Sequence, residues 1–161
     1  MVVPAERKQR IQTLFLQRAE SYSLAEVAYL TDTPAWKLRR EVARGSRDAE
    51  KVRGVWRFAW RHAVYVAMAR WTLAEIQDAL GDAAARVLPP LLALRTVTVR
   101  LPEYIVRTLE TIAADDGTTL DAVLHGELID FAGSLSGRIE TKVPGYRAAY
   151  LFPGEAVDYR S

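Results

Sequence analysis

The clearest pattern of apolar and polar positions lies between Arg95 and Gly133. Val97, Val99 and Leu101 alternate with Thr96, Thr98 and Arg100, as in a strand with one apolar face. Pro102 stops the strand and suits the start of a helix. From Glu103 to Ala114 the apolar residues Ile105, Leu109 and Ile112 recur at helical spacing. Asp115-Asp116-Gly117 breaks that helix, with Gly117 available for a left-handed cap. Thr118-Thr119 opens a second helix, in which Asp121 is placed to close a capping box on Thr118. The stripe of this helix is Leu120, Val123, Leu124, Leu128 and Phe131, and Gly133 ends it.

The preceding chain is mostly helical in period. A helix is expected over Ala5–Glu20, with Ile11, Leu14 and Phe15 as its apolar stripe. Ser23-Leu24-Ala25-Glu26 is a capping box, opening a helix that buries Leu24, Val27, Ala28 and Leu30. Asp32 makes a turn. Thr33 is expected to cap the next helix with Pro34 at its first position, and Ala35, Leu38 and Val42 point inward. Residues 51–58 suit a small hairpin with Gly54 near its turn. A helix follows from Trp60 to Trp71, apolar along Trp60, Val64, Ala67, Met68 and Trp71. Thr72-Leu73-Ala74-Glu75-Ile76 then echoes the Ser23 capping box; Gly81 turns the chain, Ala83–Leu88 starts another helix, and Pro89-Pro90 interrupts it. After Gly133 the order weakens. Ser134–Gly137 reads as loose, Pro144-Gly145 and Pro153-Gly154 as turns, and Arg147–Phe152 as a strand. This aromatic tail either folds back on its own domain or binds a partner.

Composition narrows the class. The chain has 161 residues, half of them hydrophobic, enough for one domain or two small ones. It has no cysteine, hence no disulfide and no thiolate metal site. No apolar run approaches a membrane span, and the first ten residues lack the apolar core of a signal peptide, so a soluble cytoplasmic protein is expected. The net charge of +2 says little, but its distribution says more. Lys37, Arg39, Arg40, Arg44, Arg47, Lys51, Arg53, Arg57 and Arg61 are opposed between residues 32 and 61 only by Asp32, Glu41, Asp48 and Glu50. Between Glu110 and Asp130 the charge is wholly acidic. A basic face turned to one partner, or a set of solvated helix faces, accounts for this.

Two resemblances follow from these patterns. An isolated strand with two helices needs a pairing partner for its amides and carbonyls. Residues 97–132, VTVRLPEYIVRTLETIAADDGTTLDAVLHGELIDFA, resemble the ribbon-helix-helix domain of the Arc and MetJ repressors and many bacterial antitoxins. That resemblance implies a two-fold dimer whose paired strands enter the DNA major groove. Thr96, Thr98 and Arg100 would read bases, and Thr118 and Thr119 would offer amides to a phosphate. Val97, Val99, Leu101, Leu109, Leu124 and Leu128 would form the dimer core. Residues 22–70 resemble the winged helix-turn-helix of the MerR and excisionase families. By that likeness Trp36, Lys37, Arg39, Arg40 and Arg44 form the recognition set, and Arg53 and Arg57 are wing contacts to phosphate; the polar linker Gly45–Glu50 departs from the family. In ribbon-helix-helix antitoxins the segment beyond the DNA-binding domain commonly wraps a toxin, which makes the tail after Gly133 a candidate neutralising segment.

No catalytic constellation emerges. His62 and His125 stand apart from any second histidine at ligand spacing, and Asp115-Asp116 is explained by turn chemistry. No phosphate loop or nucleophile motif is present, so neither an enzyme nor a cofactor or metal is expected. The expected fold is mainly α with short β elements: a winged helix-turn-helix followed by a ribbon-helix-helix dimerisation unit. The expected domains are residues 1–94, the ribbon unit at 95–133, and the tail at 134–161. The expected function is a sequence-specific DNA-binding transcriptional regulator, an antitoxin that represses its own operon. It would bind double-stranded DNA as a homodimer or higher even oligomer. The alternative is a protein-interaction adaptor, or toxin-neutralising partner, that does not read DNA.

Overall fold

The computed structural model describes residues 3–154 and is mainly helical with one small antiparallel sheet. It divides into two compact units. Of the described residues, the first comprises 3–92 and 151–154, and the second comprises Ala93–Tyr150. This grouping differs from the sequence-based one, which assigned the tail to a segment of its own beginning at residue 134.

In the first unit α1 (Ala5–Leu16) buries Ile11, Leu14 and Phe15, one face of an otherwise polar helix. It stops at Leu16, four residues short of the expected Glu20, and after residues 17–20 the chain enters a strand, β1 (Ser21–Ser23). Helix α2 (Leu24–Leu30) starts at the anticipated capping box: Ser23 Oγ accepts from the Glu26 N–H, and the Glu26 carboxylate accepts from the Ser23 N–H. It ends in a left-handed residue, Asp32 at φ 53°, with the Thr33 N–H bonded to the Ala28 carbonyl. Aspartate is among the few non-glycine side chains that visit this region readily. The chain therefore reverses sharply into α3 (Ala35–Ala43), which buries Leu38 and Val42. Two details correct the sequence reading. The cap of α3 is Pro34, not Thr33, whose hydroxyl is engaged with that of Thr31. Ala35 is exposed although it shares the face of Leu38 and Val42, because it is the first residue of α3, at the very end of the helix.

The linker that the sequence left unregistered is pinned. Gly45 and Ser46 close α3 with backbone bonds to Val42 and Glu41, and Arg47 pairs with Glu41 at 3.1 Å. Strands β2 (Glu50–Val52) and β3 (Val55–Ala59) form the expected hairpin. Arg53 (φ 49°) and Gly54 (φ 82°) both lie at positive φ in its two-residue turn, the mirror-image type whose twist matches paired strands. The sheet order is β1-β3-β2, with Tyr22 opposite Phe58 and Lys51 opposite Trp56. Phe58 is fully buried, and its neighbours Arg57 and Ala59 face out.

Helix α4 (Trp60–Met68) buries Ala63, Val64, Val66 and Ala67, and stops before the expected Trp71. Its first residue anchors several others. Trp60 Nε1 donates to the Leu14 carbonyl at 2.8 Å, and the ring meets Phe15 and Phe152 edge-on at 6.4 and 6.2 Å. Arg18 lies over the ring at 3.7 Å. The Thr72 capping box opens α5 (Leu73–Leu80) as anticipated. Glu75 of that box also holds Arg7 of α1 at 2.5 Å, and Gln12 donates to the Ala79 carbonyl. A short 3-10 turn at Gly81–Ala83 precedes α6 (Ala84–Val87), so the helix expected from Ala83 begins one residue later and ends sooner. Phe152 and Pro153 are buried in this unit's core, which resolves part of the tail in favour of packing in cis.

In the second unit α7 (Glu103–Asp115) begins after Pro102 and buries Leu109 and Ala113. It ends through Gly117 at φ 62°, with the Gly117 N–H bonded to Ala114 and the Thr118 N–H to Ala113. Because the Thr118 amide is consumed there, the cap of α8 (Leu120–Ser134) moves to Thr119, whose hydroxyl accepts from the Ala122 N–H. The expected Thr118–Asp121 box does not form. Helix α8 is apolar around most of its circumference yet has no buried residue; Leu128, Ile129 and Phe131 are exposed by more than half. The tail is also more helical than expected. Residues 134–137 are not loose: α8 runs through Gly133 to Ser134, and α9 (Ser136–Ile139) follows. The strand expected at Arg147–Phe152 is instead α10 (Tyr146–Tyr150). Tyr146 and Tyr150 stack at 5.7 Å, Tyr146 Oη donates to the Ala132 carbonyl, and Tyr150 fills the space left by the absent side chain of Gly133.

Candidate nucleic-acid interface

Helix α3 and the β2–β3 hairpin carry one concentration of uncompensated positive charge. The buried Leu38 and Val42 fix the rotation of α3. Trp36, Arg40 and Arg44 then fall on the opposite crest, flanked by Lys37 and Arg39. All five are exposed. Among the described residues no carboxylate lies within ion-pairing distance of Lys37, Arg39, Arg40 or Arg44, whereas Arg47 is taken up by Glu41. Arg40 instead stands over the Trp36 ring, 5.3 Å from its centroid. Trp36 is 64% exposed.

The hairpin adds Arg53 at its tip and Arg57 on the outward side of β3, both exposed. Lys51 lies 5.6 Å from the Trp56 ring. Val52 and Val55 flank the tip and are exposed as well. Arg57 faces the acid of the α2 cap. Glu26 is held below the usual carboxylate range by the Ser23 N–H and then the Ser23 hydroxyl, against a burial penalty, with the Arg57 charge adding to the effect.

The turn between α2 and α3 is braced from behind. Arg10 of α1 pairs with Asp32 at 3.1 Å and stacks on Tyr29 at 4.7 Å, while Arg70 reaches Asp32 at 3.9 Å. Sequence reasoning missed this brace, because its members lie far apart in the chain. At the other end His62 accepts from Arg61 Nε and lies 3.8 Å from Asp48. Burial, with the Arg61 charge adding, lowers the His62 pKa, and Asp48 opposes the shift. Burial thus disfavours the imidazolium form.

The residues assigned by the ribbon-helix-helix resemblance lie in the second unit. Thr96, Thr98 and Arg100 are exposed, in a stretch without helix or ladder bonds. Val97 and Val99 are 66% and 60% exposed. The described sheet contains β1–β3 alone, so the alternating strand has no ladder within one chain. Thr118 and Thr119 are exposed, with the Thr118 amide engaged as above. Of the expected dimer residues Leu109 is buried within its own unit, Leu124 is half-buried, and Leu101 and Leu128 are exposed.

Among the described residues no group of three or more His, Cys, Asp or Glu side chains is arranged to hold a metal ion, and no helix is long and apolar enough to cross a membrane. Comparison with protein-family models, with curated proteins and with solved structures found no match to this chain.

Proposed function

We propose that this chain is a sequence-specific DNA-binding transcriptional regulator that enters the major groove with α3 and lays the β2–β3 hairpin along the phosphate backbone. The observation that carries the reading is the crest of α3. Trp36, Arg40 and Arg44, with Lys37 and Arg39 beside them, are exposed and unopposed by any acid among the described residues, on a helix held at a braced turn. An α-helix of this kind fits the major groove, and unpaired Lys and Arg exchange condensed counterions for phosphate contacts.

Dimerisation is part of the proposal. The alternation of residues 96–101 suits antiparallel pairing with a second copy, which would bury Val97, Val99 and Leu101 and present Thr96, Thr98 and Arg100 to DNA. The exposed apolar surface of α8 supports burial against another chain. In its sharper form the protein is a cytoplasmic antitoxin that represses its own operon. With Leu128 taken up by the proposed dimer, the apolar surface open to a toxin is then Ile129 and Phe131 rather than Phe152, which is occupied in the first unit.

Retention on heparin followed by sedimentation with random-sequence duplex DNA tests the reading. A regulator is retained until moderate salt and sediments with the duplex as a dimer. Absence of retention and of duplex binding at low salt would return the protein to the adaptor class.

A further inference from the structure

Trp36 stands apart among the four tryptophans. Trp71 is 3% exposed, and Trp56 and Trp60 are half-buried against the core of the first unit. Trp36 is 64% exposed, on the face of α3 opposite the buried Leu38 and Val42. Indole is the largest apolar side chain, and it is usually well buried. Here it sits at the second position of α3, the end of a recognition helix that meets base edges. Arg40, one turn on, covers its ring from one side. The indole is otherwise largely open to solvent.

From this geometry we infer that Trp36 is a specificity-determining residue that contacts thymine through its 5-methyl group, a role that rests on the DNA-binding reading above. The major groove displays hydrogen-bond acceptors, amino donors and one apolar group, the thymine methyl. An indole edge has no acceptor and a single N–H donor, so the methyl is the group it can cover without stranding a polar atom. Arg40 and Arg44, on the same crest, are donor-only forks suited to guanine O6 and N7. The crest therefore pairs one apolar reader with two cationic ones. It predicts a site in which thymine lies within a turn of α3 from guanine. Arg40 holds the ring in place and is a positioning residue for Trp36 as well as a candidate base contact.

The test uses the full chain and a duplex selected by it from a random-sequence pool. Affinity is measured by fluorescence anisotropy for the thymine form and for forms in which single thymines are replaced by uracil, which removes the methyl and leaves the pairing edges intact. The wild type is expected to lose about fourfold at one or two positions, the factor that corresponds to about 0.8 kcal/mol for one methylene-sized group removed from water. Trp36→Ala is expected to bind the thymine form more weakly and to be indifferent to uracil at those positions; Trp36→Leu is expected to retain part of the discrimination. Trp36 is exposed, and circular dichroism of both variants checks that α3 is intact. Equal affinity of the wild type for thymine and uracil forms overturns the inference while leaving DNA binding in place. So does a Trp36→Ala variant that still prefers thymine. Failure of the wild type to select any duplex removes the DNA-binding reading, and this role with it.

Discussion

Charge neutralisation on α3 gives a quantitative test of how the protein would meet DNA. Six exposed cations on α3 and the hairpin can displace condensed counterions, whether each ends on a base edge or on a phosphate: Lys37, Arg39, Arg40, Arg44, Arg53 and Arg57. If each replaces one counterion, log Kobs falls with log salt at a slope of about −5.4 per protomer, and affinity drops by about 2,000-fold between 50 and 200 mM salt. Substituting Lys37, Arg40 and Arg44 with Ala leaves half the set. The slope then becomes about −2.7 and the loss over the same range about 40-fold. Binding as a dimer doubles both slopes but leaves their ratio at one half, so the ratio is the quantity to measure. None of the three side chains is buried, and alanine is a good helix former, so α3 should survive the change. Anisotropy titrations of a fluorescent duplex at four or five salt concentrations give both slopes. A ratio near one would mean that α3 does not track the backbone, and the charge argument would have to move to another surface.

Other consequences are separable from DNA binding. Burial works to raise the pKa of Glu75, but the Thr72 N–H, the Arg7 guanidinium and the Thr72 hydroxyl outweigh it, so its carboxyl titrates below the ordinary value. A depressed carboxyl contributes stability above its unfolded pKa and loses it as pH falls through the folded one. Glu75→Gln, which keeps the capping geometry, should cost about 1 kcal/mol at pH 7, and its deficit against the wild type should shrink in urea melts below about pH 4.5; a deficit independent of pH would count against the Arg7 pair. Phe152→Ala should cost about 3 kcal/mol, since the ring is buried edge-on to Trp60, and an unchanged thermal midpoint would mean that the returning chain does not hold the first unit together. Arg100→Ala should weaken binding to a selected site by about 1–3 kcal/mol with little effect on random duplex; equal affinity at the selected site would remove the strand from the reading role.

Much of the first unit was legible because its signals are local. The two capping boxes each rest on four consecutive residues, and the structure forms both, at Ser23 and at Thr72. The turns at Asp32 and Gly54 are likewise set by one or two backbone positions. What escaped depends on distant partners. Strand β1 is three residues long, and its state is decided by the free edge of β3, where Tyr22 meets Phe58. The end of the chain gave no periodicity, because α10 is helical where Tyr150 can lie against Gly133. The candidate site shows the same division. Its cations could be counted along the sequence, but only the fold distinguishes Arg47, claimed by Glu41, from Arg40 and Arg44, which no carboxylate among the described residues claims. The alternation at residues 96–101 is legible too, yet the described sheet, β1–β3, gives that stretch no ladder.

The return of Phe152 to the first unit makes the second unit an insertion: the chain leaves after Leu92 and comes back at Leu151. Docking Phe152 must therefore close a loop of the 58 residues from Ala93 to Tyr150. For a flexible chain the length-dependent part of that closure costs about 3.6 kcal/mol of entropy. Once α7 and α8 have packed, about half of those residues have already given up their freedom, and the remaining closure is correspondingly easier. Anything that orders the inserted unit, a second copy included, thereby favours seating of the aromatic plug beside Trp60. The two units are thermodynamically linked through chain connectivity alone, without any contact between them being required.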